Sequence, residues 1–143
     1  MRVSNKAIAI LTKYEGLRLQ AYKCPAGRPT IGYGHTKGVR MGQVITETKA
    51  VDLLREDIRE VEEFISRKHP NLSQNQFDAL VCLVFNIGIS NYNKYYISNL
   101  VENNAPQESI LRAWSNIVYA GGKKLNGLVL RRAEEVALFY NKQ

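Results

Sequence analysis

The stretch Tyr14-Glu15-Gly16-Leu17-Arg18-Leu19-Gln20-Ala21-Tyr22-Lys23-Cys24-Pro25-Ala26-Gly27-Arg28-Pro29-Thr30-Ile31-Gly32-Tyr33-Gly34-His35-Thr36 decides how the rest of the chain is read. Before it, Val3, Ala7, Ile8, Leu11 and Tyr14 recur at helical spacing after Ser4, a suitable N-cap. Gly16 supplies a stop, so Glu15 falls at the C-terminal end of a short amphipathic helix. From Leu17 to Ile45 the texture changes: glycines stand at 27, 32, 34, 38 and 42, and prolines at 25 and 29. Short alternations lie between them, which predicts two or three antiparallel strands joined by tight turns. A sheet that small must pack on helices to be stable.

Beyond it the pattern is helical. Thr46 opens a helix in which Ala50, Leu54, Ile58, Val61 and Ile65 form an apolar stripe, predicting one long connecting helix over about 46–68. Its other face carries Glu56, Asp57, Arg59, Glu60, Glu62 and Glu63 and reads as solvated. Ser73 with Gln76 forms a capping-box pattern, starting a helix that is apolar on most faces from Phe77 to Phe85. Such a helix belongs at the centre of a helical lobe. Further helices are expected at about 92–102, at 106–117 with Pro106 in the first turn, and at 128–141 after a loop at 120–124. Trp114 shares helical spacing with Ile110, Leu111 and Ile117 and reads as core.

With 143 residues, 45% hydrophobic and 23% charged, the chain suits one globular domain and is wrong for disorder. No apolar run approaches the length of a membrane span, so stable membrane insertion and a cleaved signal peptide are not expected. The formal charge is +7, and residues 1–45 alone hold eight bases against one acid, Glu15. That field favours a polyanionic partner: nucleic acid, an anionic surface or a charged wall polymer. No nucleic-acid motif or basic helix with interleaved aromatics supports the first. Cys24 and Cys82 are far apart with no CxxC, and His35 and His69 are too sparse for zinc; neither a metal nor a cofactor is expected. Cys82, among apolar neighbours, reads as a buried free thiol, whereas Cys24 sits in polar, turn-forming surroundings.

The spacing Glu15-x8-Cys24-x5-Thr30, followed by Ile31-Gly32-Tyr33-Gly34-His35-Thr36, resembles the phage-type lysozymes of glycoside hydrolase family 24. The resemblance extends to Gln76-Phe77-Asp78-Ala79-Leu80, Phe85-Asn86-Ile87-Gly88, Gly127-Leu128, Arg131-Arg132 and Glu134-Glu135. It implies an α+β, mainly α, bilobed lysozyme-like fold. A small antiparallel β-sheet lobe (about 15–45) would be joined by the long helix (about 46–68) to an all-helical lobe (about 1–14 and 69–143). It also implies hydrolysis of the β-1,4 bond between N-acetylmuramic acid and N-acetylglucosamine in peptidoglycan. Two rivals are a lytic transglycosylase on the same bond and a catalytically impaired wall-binding protein.

Carried onto this chain, the resemblance makes Glu15 the proton donor to the leaving oxygen. The bases around it favour its ionised form, so shielding from water must offset them. Arg131 would orient Glu15 through a hydrogen-bonded ion pair. The second position, where the family normally has Asp, holds Cys24, with members known to carry Cys there. A thiol is mostly protonated at neutral pH and a poorer base than a carboxylate, though Lys23 and Arg28 can raise its thiolate fraction. Thr30 would share the attacking water, or else bond to backbone as an ordinary strand threonine. Tyr33 is expected to pack or to touch substrate. His35 is expected to hold structure by hydrogen bonds. Asn86 would cap its helix or face the glycan. The resemblance further implies a monomer that binds a peptidoglycan strand. It would accumulate in the host cytoplasm and reach the wall through a holin.

Overall fold

The computed structural model describes residues 1–141, which form eight helices and two small antiparallel sheets. The fold class is α+β and mainly α, as expected. Contacts group the chain into two units: Leu11–Glu60, and Met1–Ile10 together with the chain from Val61 onward.

In the first unit, α1 (Asn5–Glu15) reaches its last turn and stops where Gly16 takes φ +76°, a conformation that costs glycine little. Strands β1 (Arg18–Lys23) and β2 (Pro29–Gly32) pair antiparallel, with Lys23 opposite Pro29, Tyr22 opposite Thr30 and an irregularity toward Arg18. The third strand of the expected sheet is reduced to a bridge between Gln20 and Val44, with Ala21 N–H donating to Gln43 and Ile45 N–H to Leu19. Helix α2 (Glu47–Asp57) starts at Thr46, whose hydroxyl accepts the Lys49 N–H at 3.1 Å. Ala21, Ile31 and Leu53 form the core here, with Val39 and Ile45 packed against them. Gly32 has φ +67°, and an added Cβ would lie 3.4 Å from that of Ala50, so the motif's glycine lets β2 lie close on α2.

The helix expected over 46–68 is two helices. α2 ends at Asp57, Ile58 caps it, and α3 runs Arg59–Lys68. The apolar stripe continues through the break because Ile58 stays buried. A repeating stripe reports a shared buried face, not an uninterrupted hydrogen-bond ladder. The solvated reading of the opposite face also needs correction at Glu62. It is 2% exposed, accepts the Val3 N–H at 2.7 Å and pairs with Arg2 at 3.2 Å.

In the second unit, α4 (Gln74–Ile87) carries the expected capping box, with Ser73 and Gln76 each accepting the other's backbone N–H. Residues Phe77 to Val84 are all buried, and α4 packs along α8 (Asn126–Phe139). The expected helix at 92–102 is two, α5 (Ile89–Lys94) and α6 (Tyr96–Glu102), because Tyr95 adopts an extended conformation between them. α7 (Gln107–Ser115) follows Pro106, and the expected loop at 120–124 contains a hairpin, β3 (Tyr119–Ala120) with β4 (Lys123–Lys124). The N-terminal segment is tied to α4 by Asp78, which accepts from Ser4 N–H and from the Ser4 hydroxyl. Cys82 is fully buried and points its thiol at the Ala7 carbonyl, and neither it nor Cys24 forms a disulfide.

One buried pair in this unit makes stability depend on pH. His69 and the Tyr92 hydroxyl lie 2.9 Å apart. Burial, and then the Lys68 charge, push the His69 imidazolium down to about 4, against an opposing influence of Glu102. The unfolded chain therefore takes up this proton first. Stability is full above about pH 6.5 and falls as pH drops toward 4, by on the order of 2 kcal/mol. Urea unfolding at pH 7 and pH 4.5 is expected to show a smaller loss in His69→Asn than in the unaltered protein. Equal losses in the two would assign the acid sensitivity to carboxylates alone.

Candidate active site

The expected catalytic residues all lie in the first unit. Glu15 ends α1 and is partly exposed. Cys24 opens the turn between β1 and β2, where its N–H donates to the Arg28 carbonyl at 3.0 Å and its carbonyl accepts the Gly27 N–H at 2.7 Å. The strand pairing then returns Thr30 opposite Tyr22, two residues before Cys24. Thr30 is 3% exposed, and its hydroxyl donates to the Arg28 carbonyl at 2.9 Å.

This turn holds the Cys24 thiol's pKa below its ordinary value, so the thiol ionises more readily. The Arg28 backbone N–H contributes most, followed by the Ala26 N–H, with the Thr30 hydroxyl and the Arg28 charge adding less and desolvation opposing. Arg28 thus acts mainly through its backbone, and Lys23, expected to help, is not among the causes. Proton accounting ties Cys24 to Thr30. While Thr30 donates to the Arg28 carbonyl, its oxygen can only accept from a protonated thiol. A thiolate draws the same hydroxyl hydrogen to itself. The Thr30 hydroxyl can therefore switch its hydrogen bond between the Arg28 carbonyl and the ionised sulfur without moving backbone.

His35 is built into the same unit as a structural group. Its Nδ1 donates to both Asp57 carboxylate oxygens at 2.9 Å, and its Nε2 to the Lys37 carbonyl at 2.9 Å. Asp57 was among the acids read as solvated, and it instead fastens the loop after β2 to the end of α2. Asp57→Asn should cost about 1–2 kcal/mol by weakening a charge-assisted bond to a buried ring. Urea unfolding checks this, and a change below about 0.3 kcal/mol would make the pair ornamental. Tyr33 is 6% exposed, so its ring packs in the core and has little surface for a substrate.

The remaining expected residues belong to the second unit. Asn86 is exposed and neither of its expected positions describes it fully: its Oδ1 accepts from Arg132 Nη2 at 2.6 Å. Arg131 is 3% exposed, donating to Glu135 at 3.1 Å and to the Cys82 carbonyl at 3.0 Å. Glu135, fully buried, also accepts the Trp114 indole N–H at 3.0 Å and pairs with Arg132 at 3.0 Å. Sequence reading noted Glu135 only as part of a motif. The usable signal was its spacing, four after Arg131 and three after Arg132, which puts all three on one helix face. Among the described residues no group of His, Cys, Asp and Glu is arranged to hold a metal ion.

Glu15 thus ends a helix, and the hairpin that follows brings Thr30 to the turn that Cys24 opens. The chain belongs to the phage lysozyme family, whose pattern matches residues 12–135. It is 41% identical over 145 residues to the endolysin of Acyrthosiphon pisum secondary endosymbiont phage 1, covering 97% of this chain and 98% of that one. It is also 33% identical to a SAR-endolysin of Haemophilus phage HP1, covering 96% of this chain and 80% of that one. Among solved structures, the muramidase domain of SpmX from Asticaccaulis excentricus superposes with a TM-score of 0.91 at 36% identity, covering 99% of both chains.

Proposed function

We propose that this protein is an endolysin muramidase, a glycoside hydrolase that cuts the β-1,4 bond between N-acetylmuramic acid and N-acetylglucosamine and so lyses the bacterial wall. The observation that carries the mechanism is the Cys24–Thr30 pair at the β1–β2 turn, placed in sequence after Glu15 in a chain of the lysozyme family. Glu15 protonates the leaving oxygen. A water held by Cys24 and Thr30 attacks the anomeric carbon from the opposite side, so configuration inverts. Cys24 accepts the water's proton or its hydrogen bond. A thiol whose acidity is raised by backbone N–H groups is suited to this because a larger fraction of it is thiolate at neutral pH. A covalent thioglycoside is disfavoured, since its carbon–sulfur bond would be slow to hydrolyse. Arg131, held by Glu135, and Asn86, bonded to Arg132, are proposed as substrate-binding residues of the second unit.

Carboxamidomethylation of Cys24 is the direct test, with released muropeptides read by mass spectrometry. The unmodified protein is expected to release reducing ends that carry one added water. Full labelling at Cys24 is expected to lower turnover at least tenfold, because the adduct occupies the water's place. Anhydro-muramic ends would point to a transglycosylase instead. Undiminished turnover with complete labelling would remove Cys24 from catalysis.

The substrate accounts for the charge distribution. Peptidoglycan carries peptide-stem carboxylates, and the eight bases of residues 1–45 offer them a complementary surface. Among the described residues no helix is long and apolar enough to cross a membrane. We assign delivery to a holin-class permeabilising partner, the protein acting on the wall as a monomer. A SAR-type route, which the name of the Haemophilus phage relative evokes, is the alternative. Lysis that persists when holin is withheld would decide for it.

A further inference from the structure

A cavity of about 770 Å³ opens in the second unit, where the end of α3, the turn after α6 and the last turn of α8 converge. None of the residues given a catalytic role lines it. Its lining is more polar than apolar, with the buried side chains of Ile110 and Phe139 contributing apolar surface. Lys68 and Glu102 line it as well, so a cation and an anion stand at the same cavity. The Tyr140 hydroxyl, also in the lining, is buried and has no hydrogen-bond partner among the described residues. Burial keeps that phenol protonated, so it is a donor carrying the desolvation penalty of an unmade bond.

The volume falls in the range of small-molecule sites, and a lining richer in polar than apolar surface suits a charged ligand with a modest apolar part. The charges select the ligand. A net anion would meet Glu102 and a net cation would meet Lys68, whereas a molecule bearing both charges satisfies each. We propose that this cavity binds a free α-amino acid with an apolar side chain, about the size of leucine or phenylalanine. Glu102 takes the ammonium group and Lys68 the carboxylate. The Tyr140 hydroxyl donates to the same carboxylate, and the side chain lies on Phe139 and Ile110. This site is independent of the lytic reading, and its test reads binding directly.

Titration of the full chain with L- and D-phenylalanine, followed by amide NMR shifts, is the experiment. Saturable shifts are expected around residues 68–71, 102–105 and 139–141, with a Kd of about a millimolar. N-acetylphenylalanine lacks the ammonium and phenylalanine amide lacks the carboxylate, and each should bind at least about tenfold more weakly. Glu102→Gln and Tyr140→Phe should each weaken phenylalanine by about tenfold while leaving wall lysis unchanged. Glu102 is exposed, so its variant reports on binding even if the Tyr140 variant folds poorly. Absence of saturable shifts up to about fifty times the expected Kd would overturn the proposal. So would equal binding of the acetylated and amidated analogues, or full affinity in both variants.

Discussion

Glu15→Gln is expected to lose wall lysis by about 10²–10⁴-fold, the amount a positioned general acid contributes. The amide keeps the size and much of the hydrogen bonding of the carboxyl group, but it has no proton to give the departing glycosidic oxygen. Glu15 is the last residue of α1 and partly exposed, so the fold should tolerate the change within about 1 kcal/mol. A loss of activity without a matching loss of stability therefore assigns the defect to chemistry. Turbidity clearing of chloroform-treated Gram-negative cells gives the rate, and thermal unfolding gives the control. The substitution also removes the only acid of residues 1–45, making that stretch more basic still. If lysis arose from charge-driven disruption of the envelope, the variant would clear cells as well as the unaltered protein or better. Clearing at full rate would thus sink the muramidase mechanism and favour a basic disruptor.

Which parts of this molecule were legible in the sequence follows from how local their physics is. The caps at Thr46 and Ser73, the stop at Gly16 and the hairpin around Cys24 are each decided by residues within a few positions, and each was foreseen. The helix breaks at Ile58 and Tyr95 were not, because neither residue is a breaker and at Ile58 the apolar pattern runs through the break. Hydrophobic spacing records burial, which a one-residue interruption leaves intact. Polar groups were hardest to read. Asp57 and Glu62 look like solvated acids on a charged face, yet Asp57 pairs with His35 and Glu62 holds the N-terminal backbone. Their partners lie 22 and 59 positions away, beyond any pattern a single helix displays. At the candidate site, the family motif marked Glu15, Cys24 and Thr30 by spacing. It could not say that the Arg28 backbone N–H, more than any charge, acts on the thiol.

Glu135→Ala is expected to be the most destabilising single change considered, costing about 3–5 kcal/mol. The carboxylate is fully buried, and its partners are the Trp114 indole N–H at 3.0 Å, Arg131 at 3.1 Å and Arg132 at 3.0 Å. Burial raises its proton affinity even against these partners, so the ionised group is held at some cost. That cost does not make its removal harmless. Deleting the anion leaves two guanidinium groups, 3% and 1% exposed, without it, and it orphans a buried indole donor. Trp114→Phe removes the indole hydrogen bond together with part of a fully buried ring and should cost about 2–3 kcal/mol, while leaving the charge pairs in place. Urea unfolding should show a lower midpoint at unchanged slope, and the melting temperature should fall by about 10 °C. A loss below about 1 kcal/mol would mean that the buried arginines find water or other acceptors by local rearrangement. The network would then be dispensable for α8. If it holds, the same variant should also lower lysis more than its folded fraction explains, since Arg131 owes its fixed position to Glu135.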